Sequence, residues 1–275
     1  MKNFFIISLT ILSFIYSITN ANDTLYVKEN EKIIKNLFNE LRKHLNDHDK
    51  ENINDKIRET LKNTLKINFS FYYSFDSLTS IGKIYSKDSL LKIYTWNLPI
   101  YPNIYKYYGF IQYKTKKDSI LLFELPCCNK SSLNENTIKI NQWYGALYYE
   151  IIDVITPEKF KYYILLGFDF NNLLTNKKII DVLFFDNNNE LNFGLPVFFY
   201  NNKWVHRIVF EYSAKVSMVL RYDNRLNMIV YDHLSPSHPM YIGKYQFYGP
   251  DFSYDGLKLQ NGKWIEVKDI DIRNP

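Results

Sequence analysis

Cysteine is almost absent from this chain: its 275 residues contain two, Cys127 and Cys128, and these are neighbours in sequence. Adjacent residues seldom reach the Cα separation of more than about 4.4 Å that a disulfide needs. Two thiols are also too few for a zinc site, which takes three or four protein ligands. We therefore expect two thiols beside the turn-forming Pro126, with a strained redox switch as the alternative, and the oxidation state stays open.

Clustered basic charge and complete catalytic motifs are absent too. The formal net charge is +5, but the lysines are spread along the chain, whereas a nucleic-acid-binding protein concentrates them on one face or in one run. Nucleic acid is therefore not expected as a partner. The sequence contains no G-x-S-x-G elbow, no H-E-x-x-H helix and no Walker loop. Whether the protein is an enzyme is uncertain on this basis, and the balance favours a non-catalytic protein.

Long apolar runs are confined to the N-terminus. Lys2 precedes an uncharged run from Phe4 to Ile18, and Thr19 and Ala21 place small residues where a signal peptidase cleaves. The run is shorter than the roughly 20 apolar residues of a spanning helix. We predict a signal peptide over residues 1–21 and export to the periplasm or the medium. The mature protein is expected to be soluble and without a membrane span.

A helical hairpin is predicted over residues 22–66. Apolar residues from Asp23 onward recur at helical spacing, and Asn46-Asp47 interrupts the pattern. A second helix is predicted from Asn54 to Leu65, with Asp55 and Glu59 early in it, where the helix dipole favours acidic residues.

From Ile67 the apolar period changes from 3.6 to 2, and short strands recur with polar turns between them. The last two, Gly256 to Gln260 and Trp264 to Val267, are joined by Asn261-Gly262, a strong hairpin signal. We predict a mainly β domain over residues 67–275, an antiparallel meander that forms a sandwich, an open barrel or propeller-like blades. A weak internal boundary is predicted near residues 129–141.

Several segments resemble an uncharacterised family of exported proteins from bacteria of the Bacteroidetes group. They are IYTWN (Ile93 to Asn97), YYGFIQY (Tyr107 to Tyr113), LLGFD (Leu165 to Asp169), KKIIDVLFF (Lys177 to Phe185) and YQFYGPDFSYDG (Tyr245 to Gly256). The similarity spans roughly Phe71 to Pro275, and YGPDFSYDG is its most specific part. Where family members often have tryptophan, this chain has Phe168. The family has no assigned activity, so the resemblance implies a compartment and a lineage but no mechanism.

The segment from Asp251 to Gly256 fits the start of a calcium loop. Asp251, Ser253 and Asp255 alternate as oxygen ligands do, and a glycine turn comes next. The bidentate carboxylate that completes such a loop is missing, because Gly262 occupies its position. A structural strand or turn is therefore the favoured interpretation. No cofactor is predicted, and calcium at these three residues remains the alternative.

Asp232, His233 and His238 have a spacing typical of metal ligands, but zinc needs a third or fourth ligand. Pro236 and Pro239 predict an irregular loop, in which a histidine is usually polar surface. The acidic turn from Asp186 to Glu190 is expected to be a solvated hairpin turn.

Paired carboxylates could serve a glycoside hydrolase, in which one acid has a raised pKa and the other is ionised. Asp169, Asp232, Asp251 and Asp255 lie among Trp and Tyr residues in the sequence, as they do in sugar-cleaving clefts. Asp232, Asp251 and Asp255 are the candidate catalytic residues of this hypothesis. The pattern is weak, because Asp and aromatic residues alternate in any β-rich chain of this composition.

Two functions emerge as hypotheses. The first is a non-catalytic binding or assembly module of the cell envelope, with an unknown envelope protein or glycan as its partner. The alternative is a carboxylate-dependent hydrolase that acts on glycans.

Overall fold

The computed structural model describes residues 2–43, 45–115, 117–126 and 136–272, with side chains from residue 21 onward. Cys127, Cys128 and residues 129–135 of the predicted internal boundary lie outside the described residues. Within that part of the chain, sixteen strands come after a pair of N-terminal helices, which confirms the predicted mainly β fold class. In the described ranges, no helix is both long enough and apolar enough to span a membrane.

The chain divides into two compact units. The first comprises Met1–Ile81 and Gln112–Glu124, and the second comprises Gly82–Ile111 and Leu125–Pro275.

The first unit contains the predicted helical pair, helix α1 (Lys2–Leu41) and helix α2 (Asp47–Leu65). The second helix begins at Asp47, earlier than the predicted Asn54, because Asn46 caps it: the Asn46 side chain accepts a hydrogen bond from the Asp49 amide at 2.9 Å. The apolar positions behave as their spacing predicts, since Ile57 and Leu61 are fully buried.

The segment after α2 lies within the predicted β domain but precedes its first strand. It forms a short 3-10 helix, Asn68–Phe71, and Glu31 of α1 holds the residues after that helix in place. The buried Glu31 carboxylate accepts hydrogen bonds from the Tyr73 hydroxyl at 2.6 Å and the Ser77 amide at 2.9 Å. A buried acid with these hydrogen bonds fixes the segment against the helix.

The sixteen strands of the described residues have these bounds: β1 Gly82–Tyr85, β2 Leu91–Ile100, β3 Ile104–Lys114, β4 Ile120–Leu125, β5 Ile138–Lys139, β6 Leu147–Ile155, β7 Lys161–Asp169, β8 Thr175–Phe185, β9 Leu191–Phe193, β10 Phe198–Tyr200, β11 Lys203–Val205, β12 Ile208–Ser213, β13 Leu220–Asp223, β14 Met228–Pro236, β15 Tyr248–Gln260 and β16 Lys263–Val267.

Two larger sheets make up most of the second unit. One has the order β11-β10-β16-β15-β14-β13, and the other has the order β5-β9-β8-β7-β6, with β12 paired to β8. The pairings are antiparallel except that β10 runs parallel to β16. Strands β1 and β2 and the first part of β3 belong to this unit as well, in the order β1-β2-β3.

The two larger sheets share one hydrophobic core. It includes Ile164 and Ile180 from one sheet and Phe198, Leu257 and Trp264 from the other, all fully buried. Because alternate residues of a strand face the same side, the inner faces of the two sheets pack together as a sandwich, one of the predicted architectures. Burying one such side chain contributes about 1.5–3 kcal/mol.

The hairpin between β15 and β16 forms at the predicted place. Gln260 pairs with Lys263, and Asn261 and Gly262 between them have φ angles of 49° and 75°. Both values are positive, as a type I′ turn requires. The strand before the turn is longer than predicted, because β15 begins at Tyr248 and pairs with β14 as far as Pro236. The YGPDFSYDG segment is therefore strand, interrupted by a bulge.

A candidate binding pocket beside His233

The pairing of β14 with β15 brings several of the predicted site residues together. Tyr231 pairs with Asp255 and Asp232 pairs with Tyr254, but the register then shifts so that Leu234 pairs with Pro250. The extra residues of β15 form a bulge opposite His233. At its tip, Phe252 has a φ of 71° and is 94% exposed. Such bulges redirect side chains, often next to functional sites.

His233 lies between two carboxylates as a result. Its Nδ1 is 2.7 Å from Asp255 Oδ2, and its Nε2 is 3.9 Å from Asp251 Oδ2. Asp255 is almost completely buried and also accepts a hydrogen bond from the Asp269 amide at 3.0 Å. Asp251 accepts hydrogen bonds from the hydroxyls of Ser235 and Ser253, each at 2.7 Å. Asp251, Asp255 and His233 thus form one polar cluster, in which His233 is hydrogen-bonded to Asp255 and lies 3.9 Å from Asp251.

The pKa shifts in this cluster arise from these contacts. The hydrogen bond to Asp255 raises the pKa of His233, and the charges of Asp255 and Asp251 add to the increase against partial burial. Burial alone would raise the pKa of Asp251, but the hydrogen bonds from Ser253 and Ser235 outweigh it, and the pKa is lowered. Asp251 is therefore suited to remain ionised and unsuited to act as a general acid.

The other two carboxylates of the hydrolase hypothesis are buried and hydrogen-bonded within the protein. The buried Asp232 carboxylate accepts a hydrogen bond from the Val219 amide at 2.7 Å, and the Asp232 amide donates to the Val219 carbonyl at 3.1 Å. Burial is the main reason that the pKa of Asp232 is raised. Asp169 is fully buried elsewhere and accepts hydrogen bonds from the Tyr107 hydroxyl at 2.9 Å and the Asn171 amide at 2.8 Å.

The residues predicted as metal ligands do not direct their ligand atoms at a common centre. The hydroxyl of Ser253 is bonded to Asp251, whereas the Asp255 carboxylate is directed at His233. His238 caps the short helix Pro239–Tyr241 by accepting a hydrogen bond from the Met240 amide. No group of three or more His, Cys, Asp or Glu side chains suited to a metal occurs within the described ranges.

The acidic turn at residues 186–190 is held by Asp186. Its Oδ1 accepts hydrogen bonds from the amides of Asn188 and Glu190, both at 2.9 Å, as in a hairpin turn.

An open cavity of about 360 Å³ lies beside the His233 cluster. We call it the tyrosine pocket, because Tyr200, Tyr231, Tyr245 and Tyr248 line it. Its polar groups are those of Asn201, Glu211, Asp232, His233, Asp255, Glu266 and Lys268. The volume lies within the range of about 300–1,000 Å³ that is usual for small-molecule sites.

Tyr231 joins this pocket to the core. Its ring packs against Phe210 with centroids 4.6 Å apart, and the residue is 2% exposed. The hydroxyl lies near Glu266 but makes no hydrogen bond of good geometry within the described part of the chain. Burial is the largest cause of the raised pKa of Tyr231, and the nearby Tyr200, Glu266 and Asp255 add to it, so the hydroxyl stays neutral.

Glu266, Tyr200, Tyr231, Tyr245 and Tyr248 did not emerge from the sequence as site residues. They come from strands and one short helix that are distant in sequence, and β10 and β16 are joined by a parallel pairing. The YQFYG part of the quoted C-terminal segment contains Tyr245 and Tyr248, and this is the one signal that pointed toward them.

A second polar cluster that sequence reasoning missed lies in the interior of the same unit. Arg207 and Asp181, whose side chains are both 0% exposed, form an ion pair at 2.8 Å. The other Asp181 oxygen accepts a hydrogen bond from Tyr148 at 3.0 Å, and Trp143 donates to the Tyr148 hydroxyl at 3.0 Å. An acid in the apolar segment KKIIDVLFF was a signal for this pair, because a charge in a buried strand needs a partner.

Comparison with known proteins gives no relative from which a function can be transferred: no family model, no curated protein and no solved structure matches the chain.

Proposed function

We propose that the protein is an exported, non-catalytic binding module of the cell envelope, and that the tyrosine pocket binds a sugar unit of a glycan. The observation that carries the proposal is the lining of this pocket, in which tyrosine rings stand beside carboxylate, amide, imidazole and ammonium groups. The faces of aromatic rings are negative, so they pack against the C–H faces of a sugar. The polar groups around them match sugar hydroxyls as donors and acceptors.

Binding rather than hydrolysis is favoured by the state of the candidate carboxylates. A glycosidase needs one carboxyl group with a raised pKa that can reach the glycosidic oxygen. The pKa of Asp232 is raised, but its carboxylate is buried and bonded to the Val219 amide. Asp251 has a lowered pKa, and Asp255 is bonded to His233 and the Asp269 amide.

The binding experiment uses the mature chain and a panel of immobilised mono- and disaccharides. Tyr245→Ala, which removes a 46% exposed ring from the pocket, should weaken binding at least tenfold, or about 1.4 kcal/mol. Tyr85→Ala is the matched control, because Tyr85 is 47% exposed and does not line the pocket. Binding to no sugar on the panel, or equal losses in the two variants, would contradict the proposal.

One observation supports the hydrolase alternative. His233 is 41% exposed in its side chain, has a raised pKa and is hydrogen-bonded to a buried carboxylate, as a general acid or base often is. The alternative is tested by product analysis after incubation with the sugars that bind. If product forms, and if Asp255→Asn abolishes its formation while sugar affinity is kept, the non-catalytic assignment is wrong.

Export is tested separately. Fractionation of the native host cells should place the protein outside the cytoplasm, and N-terminal sequencing should give a first residue of Asn22. A protein that keeps residues 1–21 in the cytoplasmic fraction would refute this part of the proposal.

A further inference from the structure

A second cavity, of about 390 Å³, adjoins the tyrosine pocket. We call it the serine pocket, because Ser213, Ser235 and Ser237 line it. Gln246, Phe247, Tyr248 and Asp251 also contribute to its wall. Its size, like that of the first pocket, falls within the usual range of about 300–1,000 Å³.

Strands β12 and β14 both line the two pockets, and their residues meet the pockets in the same order. Strand β12 lines the tyrosine pocket with residues 209–211, and Ser213 at its end lines the serine pocket. Strand β14 lines the tyrosine pocket with residues 231–234 and the serine pocket with Ser235 and Pro236. Along both strands, the residues of the tyrosine pocket come first and those of the serine pocket follow. The pockets are therefore neighbours along one groove between β12 and β14.

Two features make the groove continuous. Tyr248 lines both pockets, and its hydroxyl accepts a hydrogen bond from the Gly243 amide at 3.0 Å, which fixes the ring. Asp251 lies on the serine side and contacts both sides, with 2.7 Å to the Ser235 hydroxyl and 3.9 Å to Nε2 of His233. Polar groups therefore lie between the two pockets, where they can contact a ligand that extends from one pocket into the other.

We infer that the groove binds a linear oligosaccharide, with one sugar unit in the tyrosine pocket and the next in the serine pocket past Tyr248. This inference rests on the proposed function and specifies its ligand as a chain. The serine pocket is the more apolar of the two, and it can still hold a sugar unit, because Phe247 and Tyr248 offer ring faces and the serines and Gln246 offer small donors and acceptors. Phe247 is held in place by stacking on Tyr241 at 4.1 Å.

The experiment is calorimetric titration with series of one to six units of cello-, malto- and chito-oligosaccharides. In a series that binds, the dimer or trimer should bind at least tenfold more tightly than the monomer, and the affinity should then level off. Val216→Trp places a large ring in the serine pocket, which Val216 lines with 40% of its surface exposed. This variant should lose the gain with length and keep the monomer affinity. The control is Val219→Trp, because Val219 is 41% exposed and lines neither pocket.

The outcomes are separable. Equal affinities for monomer and longer chains, or equal effects of the two tryptophan variants, overturn the groove and leave the single-sugar site standing. Binding of none of the sugars overturns the groove and the proposed function together. Displacement of a bound chain by an extended peptide, at a lower concentration than by any sugar, overturns the assignment of a glycan ligand. Melting curves of both variants verify that they are folded.

Discussion

The most demanding test of the fold is the variant Arg207→Met, which removes one partner of the buried ion pair between Arg207 and Asp181. We expect this variant to be strongly destabilised. Methionine keeps the length and packing of the side chain but removes its charge. Asp181 keeps its bonds from the Val182 amide at 2.8 Å and from Tyr148 at 3.0 Å, but its counter-charge is lost. Because both side chains are fully buried, the uncompensated carboxylate should cost about 3–5 kcal/mol in the free energy of unfolding.

The matched control is Arg221→Met. Arg221 also pairs with an acid at 2.8 Å, Asp223, but its side chain is 45% exposed. Pairs in contact with solvent contribute about 0–1 kcal/mol. Urea unfolding of wild type and both variants at pH 7 measures the difference directly.

A double variant gives a second measure of the same effect. The double variant Arg207→Met with Asp181→Asn removes the charge and should recover part of the loss at pH 7. If Arg207→Met costs no more than Arg221→Met, or if the double variant recovers none of the loss, the reasoning about the buried pair is wrong.

Two further predictions concern the pocket and the β15–β16 turn. The hydrogen bond to Asp255 raises the pKa of His233, so Asp255→Asn should lower that pKa in an NMR titration. The pKa of His233 is higher in the folded than in the unfolded protein, so the stabilisation from this pair is complete below the ordinary histidine pKa and is lost as the pH rises through the raised value. A pKa of His233 that is the same in both proteins would refute the assignment. Gly262→Ala should cost about 1–3 kcal/mol more than Gly243→Ala in urea unfolding. Both glycines have positive φ, but a Cβ at Gly262 would lie 2.8 Å from Thr156 Cγ2, whereas nothing lies within 4 Å of a Cβ at Gly243. Equal losses would mean that the close approach to Thr156 has no effect.

The fold was predictable where local signals determine it. Helical spacing placed Ile57 and Leu61 in the core, and Asn261-Gly262 marked its hairpin, because both depend on residues close together in the chain. The start of α2 was missed because the capping role of Asn46 depends on its side-chain bond to Asp49. The parallel pairing of β10 with β16 depends on how the sheets assemble, and apolar periodicity carries no information about that.

The site was predictable in part for the same reason. The sequence identified His233, Asp251 and Asp255 as candidates, and the structure brings these three together because β14 and β15 are neighbours. Asp232 precedes His233 and also lines the pocket, but its carboxylate accepts a hydrogen bond from the Val219 amide and not from His233. The register of β14 with β15 that brings His233 beside Asp251 and Asp255 depends on the bulge near Phe252. The alternation of polar and apolar residues does not reveal that bulge.

Tyr231 links the hydrophobic core to the tyrosine pocket. Its ring completes the core against Phe210, and its hydroxyl ends in the tyrosine pocket without a hydrogen bond of good geometry to the residues that the structure describes. Under the proposed function, a ligand hydroxyl in the pocket would bond to the Tyr231 hydroxyl beside Glu266.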